Sequence, residues 1–136
     1  MATIKNYTDL PQSKKLAEIL PLESADVIWN LTNPDLPNIR AIPYESSDYN
    51  NKYLNIIPAW SLAALLNILP IVYINSKNEV CGPLHIDITD SETPFVLWYV
   101  NPLHKGSIVE LKTKEYNNLV DACYEMIIKL KDLNLL

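Results

Sequence analysis

Few residues in this chain have the type and spacing to do chemistry. His85 and Asp87 alternate with Leu84, Ile86 and Ile88, so both fall on the polar side of a period-two strand. With His104, which follows the partner strand, they could make a His/Asp/His metal site. The solvated face of a hairpin explains the same positions with no metal. A nucleophile on Cys81 with either histidine is a weaker arrangement. Cys123 lies on the apolar side of a helix, where a thiol is inert. The two cysteines make no CxxC and no zinc spacing, and two distant thiols in an ordinary domain read as buried small hydrophobes.

Several familiar sites are excluded. Gly82 and Gly106 are the only glycines, which rules out a P-loop and a dinucleotide-binding turn. No GxSxG elbow and no HExxH occurs. The formal net charge is −5 and Arg40 is the only arginine, so the basic stripe that a phosphate backbone needs is missing. Nucleic acid is not an expected partner, and no cofactor is expected.

A second candidate is compositional. Residues 32–56 read as a long loop rich in Pro, Asn, Ser and Asp, a length that is often functional in a compact domain. It carries Arg40, Tyr44, Tyr49 and Tyr53 among small polar residues. Tyrosine gives contact area at low entropic cost, and tyrosine and arginine are frequent interface anchors. The alternative is that the tyrosine rings fold back as lids over the core. Within this stretch Ile39 to Tyr44 can pair as an edge strand, limited to an edge by Pro43.

The elements that must position these residues follow from hydrophobic pattern. With 136 residues, 49 % hydrophobic and 20 % charged, the chain has the size and composition of one globular domain, residues 1–136. Thr8 or Asp9 caps a first helix with Gln12 in its opening turn, ending before Pro21. Ala25 to Leu31 reads as a strand. Ile57 to Pro70 (IPAWSLAALLNILP) is apolar on nearly every side, too short to cross a bilayer, and reads as a buried central helix with Pro58 in its first turn and Leu65 and Leu66 both covered. Ile71 to Asn75, Leu84 to Ile88, Phe95 to Val100 and Ile108 to Thr113 read as strands. Phe95 to Val100 is apolar on both faces and belongs in the middle of a sheet. Asn118 caps a last helix to about Leu133, with Leu119, Cys123, Met126, Ile127, Leu130 and Leu133 on one face.

The expected fold is therefore α+β: a mostly antiparallel sheet of four to five strands, with a buried central helix and a C-terminal helix packed on it. No stretch has signal-peptide form or membrane-spanning length, so a cytoplasmic protein without a membrane partner is expected.

Ile57 to Pro70 and Asp121 to Leu136 (DACYEMIIKLKDLNLL) resemble a family of small uncharacterised proteins from gut-commensal bacterial and prophage genomes. Gln12 to Asp26 (QSKKLAEILPLESAD) is similar as well. The resemblance covers about a third of the chain and lies mainly in helices. It implies a cytoplasmic protein of phage or mobile-element origin, and it carries over no catalytic residue. The functional expectation is a non-enzymatic accessory or interaction factor whose partner is another protein. The alternative is a small metal-dependent enzyme or metal-binding protein using His85, Asp87 and His104.

Overall fold

The structure is a computed structural model that describes residues 4–41, 55–103, 105–106 and 108–136. It is α+β, with three antiparallel sheets. In chain order the elements are α1 (Leu10–Ile19), a 3-10 turn (Leu22–Ser24), β1 (Val27–Asn30), β2 (Asn38–Ala41), β3 (Ile56–Ala59), α2 (Leu62–Ile68), β4 (Tyr73–Ile74), β5 (Val80–Cys81), β6 (Leu84–Ile88), β7 (Phe95–Asn101), β8 (Ile108–Lys112) and α3 (Leu119–Asp132). The chain gathers into two compact units, residues 6–64 and residues 65–136 together with the first five.

In the 6–64 unit, α1 starts as the residue types require. The Asp9 carboxylate accepts from the Gln12 N–H at 2.9 Å, and the Gln12 side chain accepts from the Asp9 N–H at 3.1 Å. This capping box satisfies two donors that a helix start otherwise leaves open. Helix α1 packs on β3, and the strand order is β2-β1-β3. Strand β2 is an edge strand and covers the anticipated Ile39 to Tyr44 run as far as Ala41, residues 42–44 lying outside the described residues, with Arg40 opposite Ile28.

Strand β3 corrects the reading of a helix from Ile57. Ile56–Ala59 pairs with β1, and Pro58 sits opposite Ile28. The Leu31 N–H donates to the Asn55 carbonyl, so odd-numbered positions of β3 face β1. Pro58 therefore directs its missing N–H away from the ladder, which an edge strand tolerates. A short apolar run has no period that separates strand from helix, and tertiary pairing decided it. The helix starts only after Ser61, whose Oγ accepts from the Ala64 N–H at 3.2 Å. Helix α2 is also not covered all round. Leu65 is buried, but Leu66 is half-buried and Ala63 and Asn67 are exposed.

The 65–136 unit holds the sheet β6-β7-β8 and the two-stranded sheet β4-β5. Strand β7 is central, as its apolar faces require, and α3 packs against it. Asn118 caps α3, accepting from the Asp121 N–H at 2.8 Å. Val120, Cys123, Met126, Ile127 and Leu130 are fully buried, whereas Leu133 is exposed.

The expectation of one sheet of four to five strands is thus replaced by sheets of three, two and three strands. Two local causes are visible. Beyond β3 the ladder is taken by the chain start, where the Thr8 N–H donates to the Trp60 carbonyl at 2.9 Å and the Leu62 N–H to Asn6 at 3.0 Å. Between β5 and β6, Gly82 turns at φ +139° against the Ile71 carbonyl, where a Cβ would lie 2.7 Å from that oxygen. Pro83 follows and offers no N–H, so the ladder stops there.

Candidate functional site

The fold brings together a polar cluster that no local motif announces. Asn75 follows β4, Glu79 precedes β5, Asn101 ends β7 and Glu110 lies on β8. The Asn101 Nδ2 donates to Glu79 Oε1 at 3.2 Å and to Glu110 Oε1 at 3.0 Å. The Asn75 Nδ2 does the same, at 3.2 and 3.1 Å. Two amides thus hold two carboxylates. Asn101 is fully buried, and its Oδ1 accepts from the Leu103 N–H at 3.1 Å. Asn75 is fixed through its own Oδ1, which accepts from the N–H groups of Lys77 at 2.9 Å and Glu79 at 3.0 Å. Asn78 at φ +62° closes this turn in the left-handed region that asparagine tolerates.

Beside the cluster, Tyr73 and Cys81 face one another across β4–β5 and both are buried. Burial pushes the Tyr73 phenol well above its ordinary value, and the neighbouring Cys81 adds to this. Burial also raises the Cys81 thiol, outweighing the hydrogen bond from Tyr73 that favours its thiolate. Such a thiol is a poor nucleophile. Cys123 is pushed up to about 12 by burial alone. Both cysteines are free and buried, as their positions in the sequence suggested.

A cavity of about 230 Å³ opens next to this cluster. Its polar side is formed by Tyr73, Asn75, Ser76 and Glu110. Its apolar side is formed by Leu111 with Leu133 and Leu135 from the C-terminal tail. The tail is held there by the Leu135 N–H, which donates to the Leu130 carbonyl at 2.8 Å.

The residues singled out from sequence are placed differently. His85 and Asp87 do share the face of the sheet that carries Trp98, as alternation required. His85 is stacked on Trp98, with ring centroids 4.1 Å apart and 13° between planes. Its ring is packing material there. Among the described residues, no three His, Cys, Asp or Glu side chains are grouped to hold a metal. On the same face a depression of about 250 Å³ is lined by Asp87, Trp98, Val109, Lys112 and Glu115, among others. Arg40 is exposed on β2, and its Nε donates to the Asn38 Oδ1 at 3.3 Å. His104, Tyr44, Tyr49 and Tyr53 lie outside the described residues. A wider depression of about 440 Å³ in the 6–64 unit is lined, among the described residues, by Leu31, Pro34, Asn55, Ile56 and Ile57, none of them ionisable.

Sequence reasoning missed Glu79, Asn75, Asn101 and Glu110. The signal nearest to them was Ser76-Lys77-Asn78, which reads as a turn after a strand ending at Asn75. No family model, curated protein or solved structure matches the chain.

The 65–136 unit also exposes large apolar side chains. Ile74 and Val80 form a cross-strand pair on the outer face of β4–β5, 56 % and 51 % exposed. Ile71 is 73 % exposed, and its carbonyl accepts from the Leu84 N–H, which places it beside the start of β6. Strand β6 is an edge of its sheet, with Ile86 and Ile88 exposed. Because the Leu84 N–H points away from β7, the backbone groups of Ile86 and Ile88 point the same way by alternation.

Proposed function

We propose that the protein is a non-enzymatic interaction factor, an accessory or inhibitory protein of mobile-element origin, that binds another protein through the 65–136 unit. One observation carries this reading: an exposed apolar set on β4, β5 and the β6 edge, with Ile71, Ile74, Val80, Ile86 and Ile88. Monomeric proteins rarely leave such patches open, and those that do use them for partners. Among the described residues the β6 edge beyond Leu84 has no strand beside it, so it adds main-chain donors and acceptors that a partner's strand can pair with. The raised thiols and the engaged His85 favour binding over catalysis, and the metal-dependent alternative gains no support from them.

Ile74→Lys combined with Ile86→Lys tests this. Both positions are exposed, so the folding stability should change by no more than about 0.5 kcal/mol for each substitution. Recovery of the partner on the immobilised full chain should be lost. An intact fold with unchanged recovery, or a large loss of stability, overturns the reading.

A further inference from the structure

The cavity beside β4 and β8 presents hydrogen-bond acceptors. Glu110 receives both amide donors on Oε1, and among the described residues nothing donates to its Oε2, which is open to a guest. Tyr73 is only 8 % exposed, lines the cavity and sits opposite Cys81 across β4–β5. A phenol hydroxyl has acceptor lone pairs as well as its one donor. Asn75 is saturated through both its oxygen and its amide, so it orients Glu110 and does not compete for a ligand. Among the described residues no basic side chain lines the cavity, and the facing wall is Leu111, Leu133 and Leu135. A guest must therefore bring N–H donors and positive charge on an apolar stem. The volume lies below the roughly 300 Å³ at which drug-sized ligand sites begin, so it suits one side chain. The chain's net charge of −5 draws a cationic partner.

We propose that this cavity receives a single basic side chain, an arginine or a lysine, presented by the protein partner. Its carboxylate contact is Glu110, its neutral acceptor is the Tyr73 oxygen, and its stem packs on Leu133 and Leu135. The inference rests on the interaction reading above and names the chemistry by which that partner is recognised.

The probe is n-butylguanidinium, titrated into the full chain and followed through backbone amide resonances, with butyrate and n-butanol as controls. Saturable shifts at Tyr73, Asn75, Ser76 and Leu135 with butylguanidinium alone support the proposal. Glu110→Gln should weaken that binding about tenfold or more, the loss expected for a hydrogen bond to a charged group. Leu135→Ala gives a second reading should Glu110→Gln disturb the fold, and it should also weaken binding. Shifts that fail to saturate, that appear equally with butyrate, or that persist unchanged in both variants overturn it. The two readings separate cleanly. A partner bound at Ile74 and Ile86 whose affinity ignores both butylguanidinium and Glu110→Gln overturns this inference alone. Saturable cavity binding with no partner at that surface overturns the interaction reading alone.

Discussion

Among the described residues, the 6–64 unit completely buries the polar side chains of Thr8 and Ser13 and the 65–136 unit that of Asn101, and the two units satisfy them in opposite ways. In the first, Thr8 is closed by neutral groups. Its Oγ1 meets Ser13 Oγ at 2.7 Å and accepts from the Trp60 N–H at 3.2 Å, while its carbonyl accepts from Trp29 Nε1 at 3.0 Å. Trp60, fully buried, donates its Nε1 to Ser24 Oγ at 3.0 Å. Nothing in this node is ionisable, and it ties α1, β1 and the end of β3 together. In the second unit, Asn101 is closed by two carboxylates that stand beside a cavity. The surfaces differ in the same sense. Among the described residues of the first unit, the exposed large hydrophobics are Leu22 and Leu36, whereas the second exposes Ile71, Ile74, Val80, Ile86 and Ile88 and others. A closed neutral node is what a structural core requires. A charged node beside an opening costs more to maintain, and such expense is usual where a protein meets something else.

The comparison can be broken by mutation. Asn101→Leu should have the largest effect, about 3 kcal/mol or more in a denaturant melt, because it removes two donors to charged groups. Thr8→Val keeps the shape and removes a neutral hydroxyl, leaving the Trp60 N–H without its partner. It should cost about 1–2 kcal/mol. A Thr8 loss larger than the Asn101 loss would invert the contrast between the nodes. The third effect appears only in alkali. The Cys123 thiol holds its proton to about pH 12 when folded, against 9.0 for the free group. The unfolded chain therefore releases this proton first, so stability is full below about pH 9 and declines as pH rises towards 12. Cys123→Ala should flatten that decline by up to one proton's worth of slope in melts taken between those values. An unchanged slope would remove the thiol from the account.

Local chemistry made much of the fold legible. Asp9 with Gln12, Asn118 before α3, the alternation of Leu84, Ile86 and Ile88, and the two-faced Phe95 to Val100 all formed the elements their patterns imply. Ile57 to Trp60 was not legible, because an apolar run of that length suits a strand and a helix alike. The Ser61 cap was the clue that the helix starts later. Strand β5, two residues long, carries no period at all. The candidate site was hidden for another reason. Glu79 and Glu110 are held by amides from positions 75 and 101, and such a set converges only through strand pairing. His85 and Asp87 were easy to see because they alternate, yet alternation reports a face and not a function.

The central claim is that the 65–136 unit carries the contact surface. Site-specific photo-crosslinking in the native host tests it most directly, with a crosslinking residue placed at Ile74 in one variant and at Lys14, exposed on α1, in another. The account predicts one discrete crosslinked species from the Ile74 variant, abolished by Ile86→Lys, and none from the Lys14 variant. A discrete species from Lys14 with none from Ile74 would contradict it.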